Sequence, residues 1–284
     1  MRYLPNGKQM SEADAHTIHE IRIPSLVLME RAALQIVETM HKKNISTEKS
    51  LIVCGSGNNG GDGFAVARLL TEQGKHADVL FAGKEASLSE ECRCQKQIVE
   101  NMGISVFTEF PDEEYTVIID AVFGVGLCRE ITGHYKDVID WMNLQDAEKV
   151  AVDIPSGICA ATGKILGTAF RADLTVCMAC VKLGCELFPG KSYAGESIPV
   201  AIGIDPNYFS NRLDVCYTFD KNDLEKLLPS RMMNSHKGSY GKVLMITGSP
   251  GMAGAAFLSA CAAYTVGAGL VQIYTASENR LALQ

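Results

Sequence analysis

Basic charge is scarce in this sequence: 26 lysines and arginines stand against 33 aspartates and glutamates, a formal net charge of −7 over 284 residues. A nucleic-acid partner, which requires a basic surface, is therefore not expected. An apolar h-region is also missing from the start, Met1-Arg2-Tyr3-Leu4-Pro5-Asn6-Gly7-Lys8, so nothing there reads as a secretory signal. Without such a signal, the ten cysteines read as reduced thiols of a cytoplasmic protein. Charge of either sign is absent from residues 243–277, a stretch long enough to span a bilayer. Pro250, Gly248, Gly251, Gly254, Gly267 and Gly269, with many Ser, Thr and Ala residues, keep that stretch only weakly apolar. It reads as a buried strand, a glycine loop, a small-residue helix and a second strand, and no membrane partner is expected.

Several motifs are incomplete. Cys177 and Cys180 have C-x-x-C spacing, but no second pair completes a zinc site, so they read as core thiols. Cys92 and Cys94 lie on a surface helix without a partner, and His16 and His19 read as a solvated pair. Gly190-Lys191-Ser192 ends like a P-loop, yet position 185, where the first glycine belongs, is Cys185. No G-x-S-x-G occurs, and Ser156 has no neighbouring histidine signal.

What is present is the balance of a globular protein: 47% hydrophobic and 21% charged residues, at a length that suits two domains. Helices are expected over residues 11–21 and 24–43, the second with Pro24 in its first turn and Leu28, Ala32, Ile36, Val37 and Met40 on one face. A buried strand at 50–54 runs into glycines and a helix at 61–72. Then come strand 76–82, helix 89–102, strands 104–107 and 116–119, helix 133–143, and strands 149–154 and 174–179. This alternation predicts an α/β fold with a Rossmann-like, doubly wound parallel sheet. The boundary is expected around Asp205-Pro206-Asn207-Tyr208.

The richest motif is Gly55-Ser56-Gly57-Asn58-Asn59-Gly60-Gly61-Asp62-Gly63-Phe64. Gly55, Gly57 and Gly60 satisfy G-x-G-x-x-G between a strand and a helix, where a helix N-terminus offers N–H groups to a phosphate. The acid that should end the second strand of a dinucleotide dehydrogenase is missing: that strand ends Phe81-Ala82-Gly83-Lys84, and Asp78 sits too early. Two further strand ends, Asp120-Ala121-Val122-Phe123-Gly124-Val125-Gly126-Leu127-Cys128-Arg129-Glu130 and Asp153-Ile154-Pro155-Ser156-Gly157, point to the same sheet edge, where open α/β sheets bind ligands. Asn59, Asp120 and Ser156 could offer a cation hard oxygen donors. A plain helix N-cap is the alternative for either aspartate.

These three motifs, in this order, resemble the NAD(P)H-hydrate epimerase domain, over roughly residues 1–212. That family interconverts the R and S epimers of nicotinamide cofactors hydrated at C6 of the reduced ring, so the resemblance implies a small-molecule substrate, hydrated NADH or NADPH. It further implies that Asn58, Asn59, Gly60, Gly61, Asp62, Gly124, Val125, Gly126, Leu127, Cys128, Arg129 and Glu130 bind the substrate. Asp153 would contact it near the reacting ring, and Asn59, Asp120 and Ser156 would hold a potassium ion. A hydroxyl beside the ring nitrogen makes C6 a hemiaminal carbon, which loses configuration by departure of water or by ring opening. Either route needs proton transfer at oxygen, for which Asp153 is the candidate general acid/base. Lys182 is open between assisting with charge and being an ordinary solvated lysine.

Residues 213–284 carry Ser235-His236-Lys237-Gly238-Ser239-Tyr240-Gly241-Lys242 and then Gly248-Ser249-Pro250-Gly251-Met252-Ala253-Gly254-Ala255-Ala256. They resemble the start of the ADP- or ATP-dependent NAD(P)H-hydrate dehydratase, which has a ribokinase-like α/β fold and uses its nucleotide with Mg2+. Ala255 matches a substrate-contact position of that family. The family's later glycine-rich nucleotide loop has no counterpart here, so this domain is expected to be incomplete, with its nucleotide site absent. A non-catalytic nucleotide-binding module of the same fold is the alternative, and a homo-oligomer is left open.

Overall fold

An asparagine and a glutamine start the first helix of the computed structural model, which describes residues 1–205, 207–228 and 230–283. Pro206, in the expected boundary, and Gln284 lie outside the described residues. After a short strand β1 (Arg2–Leu4), Asn6 caps α1 (Gly7–His19) by accepting from the Gln9 N–H at 3.0 Å. The Gln9 side chain accepts in return from the Asn6 N–H at 2.9 Å. This capping box starts α1 four residues earlier than its apolar pattern suggests. In α2 (Ser25–Lys42), Leu28, Met29, Ala32, Ala33, Ile36, Val37 and Met40 are buried, the stripe of an amphipathic helix.

The chain then alternates through β2 (Lys49–Cys54), α3 (Asn58–Glu72), β3 (His76–Phe81), α4 (Glu90–Asn101), β4 (Val106–Phe107), β5 (Val117–Ala121), α5 (His134–Leu144), β6 (Glu148–Val152) and β7 (Leu174–Met178). A single turn α6 (Leu183–Glu186) leads to β8 (Glu196–Val200). These strands form one seven-stranded sheet in the order β4-β3-β2-β5-β6-β7-β8, with every pairing parallel. Alternate residues serve opposite faces. Ile52 and Cys54 of β2 pack with α2, α3 and α4, while Leu51 and Val53 pack with Val138, Ile139 and Met142 of α5. Helices therefore cover both faces, and the order of travel reverses between β2 and β5, where such sheets open a crevice.

Strand β8 is absent from the sequence reading because it is polar, half-exposed and contains Pro199. It tolerates proline because it is an edge. The Glu196 N–H donates to the Asp173 carbonyl and the Val200 carbonyl accepts from the Ala179 N–H, both at 2.9 Å. By alternation, Pro199 directs its missing N–H outward. Strand β9 (Cys216–Thr218) pairs antiparallel with β1.

The chain divides into two compact units, Met1–Asp220 and Lys221–Gln284. The second contains α7 (Lys221–Leu227), β10 (Lys242–Ile246), α8 (Ala253–Val266), β11 (Leu270–Tyr274) and α9 (Arg280–Leu283), with β10 and β11 parallel. The expected strand, glycine loop, helix and strand are present, but the burial expected of the strands is not: Leu244, Ile246 and Tyr274 are exposed, and α8 buries only Ala256 and Ala260. Two strands with one long helix and two short ones have too little surface to cover both sides of a sheet. Among the described residues, no helix is long and apolar enough to cross a membrane.

Candidate active site

The loops that leave the carboxyl ends of β2, β5 and β6 converge with α1 and α2 around a cleft of ≈ 730 Å³, within the range of small-molecule sites. Its β2 wall starts with Gly57 at the N-cap of α3, and Asn58, Asn59 and Asp62 line the cleft. Gly60 and Gly61 do not line it; they are buried behind that wall. A Cβ on Gly60 would collide with the Gly55 carbonyl, and one on Gly61 with the Met29 side chain. These glycines let α3 seat directly on the end of β2. Asp62 is half-buried, and burial first, then the Asp153 and Asp14 carboxylates, push its carboxyl well above the usual range.

The β5 loop contributes Gly124, Val125, Gly126, Leu127, Cys128 and Arg129 to the lining, whereas Glu130 is exposed outside it. This loop is pinned from below by Asp120, which is wholly buried. Its Oδ1 accepts from the Val122 N–H at 3.1 Å and the Ser156 hydroxyl at 2.7 Å, and its Oδ2 from the Ser156 N–H at 2.7 Å. Ser156 Oγ in turn accepts from the Phe123 N–H at 2.8 Å. Burial raises the Asp120 carboxyl to about 6, against the pull of the Ser156 and Val122 donors. Those donors are all neutral. On the other side of the same loop, Asn59 lies against Gly124, and its Nδ2 is buried without a hydrogen-bond partner among the described residues. Asn59, Asp120 and Ser156 thus gather around residues 122–124.

Asp153 follows β6 directly and has φ of 68°, a left-handed conformation that is costly for a residue other than glycine and recurs at functional sites. Its N–H donates to the Val176 carbonyl at 2.8 Å. Its Oδ1 accepts from the Met178 N–H at 2.9 Å and from Lys182 Nζ. Lys182 Nζ also donates to the Met178 carbonyl at 2.9 Å. Lys182 is not solvated; it is fully buried. Burial opposes its charge most strongly, but the Asp153 carboxylate together with Cys177 and Cys185 holds the ammonium above its ordinary value. Asp153 lines the cleft, and its Oδ2 has no hydrogen bond among the described residues.

Of the carboxyl groups that line the cleft, sequence reasoning missed Asp14 of α1. The signal was there, since Met10, Ala13 and Thr17 form the buried stripe of that helix and an acid at 14 falls on it. The rest of the lining is largely apolar, including Met10, Leu28, Met29, Met178 and Ile202, with Lys84 and Tyr135 at its polar margin. Ala255 belongs to the second unit, where it is exposed on α8. Among the described residues, one group of potential metal ligands comes together, His76, Asp78 and Glu113. The protein already occupies these ligands: Asp78 is bonded to His76 at 2.9 Å and Tyr115 at 3.1 Å, and Glu113 to Lys49 at 2.7 Å.

Residues 25–184 match the family described as YjeF-related protein N-terminus. The chain is 41% identical over 201 residues to an NAD(P)H-hydrate epimerase of Oenococcus oeni, covering 70% of this chain and 96% of that protein. It is 43% identical over 194 residues to an NAD(P)H-hydrate epimerase of Limosilactobacillus reuteri, covering 68% and 92%. A bifunctional NAD(P)H-hydrate repair enzyme, Nnr, of Moorella thermoacetica is 35% identical over 287 residues, covering 95% of this chain; the chain spans 53% of that relative's length. The crystal structure of yeast ynu0, YNL200c, shares the fold, with a TM-score of 0.62 at 18% identity over 78% of this chain and 97% of that one.

Proposed function

This chain belongs to the NAD(P)H-hydrate epimerase family, and from that membership we propose that it interconverts the R and S epimers of NADH and NADPH hydrated at C6, a repair of damaged nicotinamide nucleotides. The observation that carries the reading is Asp153, whose carboxylate faces the cleft with one oxygen fixed by a buried ammonium and a backbone N–H. A carboxylate so oriented is suited to moving a proton at the oxygen on C6. The N-terminus of α3 offers N–H groups to the substrate's phosphates, with Asn58 and Asn59 at its edge and the 124–129 loop opposite. Gly60 and Gly61 act from behind this lining, and Glu130, exposed outside it, follows the 124–129 loop as the remaining substrate contact of this reading.

Asn59, Asp120 and Ser156 would hold a potassium ion. The fit rests on a wholly buried carboxylate with only neutral donors and on the unpartnered amide of Asn59. Turned about its last bond, that amide would present its oxygen at the same place. When bound, the ion would supply a fixed positive charge to Asn59, Asp120 and Ser156.

Residues 1–212 form the epimerase domain in this reading. Residues 213–284 are the start of an ADP- or ATP-dependent dehydratase domain, supported by identity that runs into the bifunctional relative over 95% of this chain. The free cysteines suit a cytoplasmic location.

The test mixes the full chain with racemic hydrated NADH, an independent S-specific dehydratase and ATP, and follows recovery of NADH absorbance. Both epimers should be recovered faster than in a blank without the chain. Asp153→Asn should fold and lose about 100-fold or more of the epimerisation rate. An R epimer that lingers as in the blank, with potassium present and a folded protein, removes the proposed activity.

A further inference from the structure

We propose that Asp14 is a second catalytic residue of this cleft, the acid that protonates the C6 hydroxyl as it departs, while Asp153 receives the proton of the water that returns on the other face of the ring. The inference rests on the epimerase reading above.

Its basis is a contrast between two carboxyl groups that line one cavity. Asp153 is held by the Lys182 ammonium and the Met178 N–H, charge-assisted and backbone donors that fix one carboxylate oxygen and leave the other facing the cleft. Asp14 has none of these. It is half-buried on the packed side of α1, and among the described residues its carboxyl makes no hydrogen bond and no ion pair. A carboxyl withdrawn from water with nothing to stabilise its anion keeps its proton longer. Burial, and after it the Asp153 carboxylate, raise Asp14 to about 6, although Lys182 pulls the other way. The other titratable and charged groups around the cleft are Asp62 on α3, Lys84 after β3, Cys128 and Arg129 in the β5 loop, and Tyr135 on α5. Asp62 is itself pushed up, by burial first and then by the Asp153 and Asp14 carboxylates. Three carboxyls against one buried lysine cannot all ionise easily, and environments that drive such groups apart assign acid and base.

The step balances. Asp14 gives its proton to the hydroxyl oxygen, the C6–O bond breaks with its electron pair on oxygen, and the lone pair of N1 closes a C6=N1 double bond as water leaves. Water then adds to the opposite face of C6, the double-bond pair returns to N1, and the surplus proton passes to Asp153. One proton has moved from Asp14 to Asp153. The opposite epimerisation, or exchange with cleft water, restores it.

The test compares wild type, Asp14→Asn and Asp14→Glu, with epimers of hydrated NADPH separated by chromatography and NADPH binding measured by titration. In Asp14→Asn, kcat should fall about 100-fold or more, with the Kd for NADPH changed less than about threefold and the alkaline limb of the pH–rate profile gone. Asp14→Glu should recover part of the rate and restore that limb. An Asp14→Asn protein with kcat within threefold of wild type overturns the proposal. So does one whose loss lies wholly in binding, or one that keeps the alkaline limb. An inactive wild type instead overturns the epimerase reading, and this inference with it.

Discussion

Lys182 donates at once to the Asp153 carboxylate and to the carbonyl of Met178, whose own N–H binds the same aspartate oxygen. The three groups form a closed cluster between the ends of β6 and β7, with Lys182 wholly out of solvent. A buried ammonium stands there only because a carboxylate faces it. Beside the cluster, the Asp153 N–H donates to the Val176 carbonyl and ties down the left-handed backbone at Asp153.

Lys182→Met should therefore cost about 3–5 kcal/mol in urea unfolding, because it leaves a buried carboxylate without its partner. Adding Asp153→Asn should recover much of that loss, since the orphaned charge goes too. If the double variant is as unstable as the sum of the singles, the ion pair is not what Lys182 provides.

Gly60→Ala tests the seat of α3. The new methyl would meet the Gly55 carbonyl, which is backbone and cannot swing aside. A loss of about 1–3 kcal/mol is expected, together with weaker NADPH binding, because the N-terminus of α3 must shift. Unchanged melting and unchanged binding would show that the helix has room.

Stability should follow pH through Asp14. Its carboxyl is raised in the folded protein from 3.8 to about 6. The fold thus favours the protonated form, a contribution present in full below the unfolded value and lost as pH rises through the folded one. Relative to wild type, Asp14→Asn should gain stability between about pH 4 and 6 and hold that gain above. After discounting for partial exposure the gain is roughly 1–2 kcal/mol. Parallel stability curves for the two proteins across that window would contradict it.

Potassium should raise the melting temperature by a few degrees over choline at equal ionic strength, since a ligand bound only by the folded state stabilises it. The difference should vanish in Asn59→Ala. Identical melting in the two salts would count against a potassium site at Asn59, Asp120 and Ser156.

How much of this could be read from the chain depended on whether a residue's role was local. The glycines before α3 and the aspartates Asp120 and Asp153 announced themselves, because strand ends and tight turns are written in consecutive residues. Lys182 could not be placed, since its burial depends on a carboxylate 29 positions away. Asp14 was hidden for a related reason. It is one acid on a helix, and only the packing of α1 beside the sheet edge makes it part of a cleft. Strand β8 escaped because an edge strand needs no continuous apolar run, and β1 with β9 because their pairing joins distant residues such as Arg2 and Thr218. The apolar pattern of residues 243–277 was legible, but what covers it is not a local property.

The two margins of the seven-stranded sheet have a consequence for self-association. At one, β4 is only two residues long. At the other, Pro199 interrupts the outward row of donors, and Glu196 is held by Lys43 at 2.6 Å. Neither margin offers a foreign strand a ladder to extend. Extension of this seven-stranded sheet by a strand from a second copy is therefore disfavoured at both of its margins.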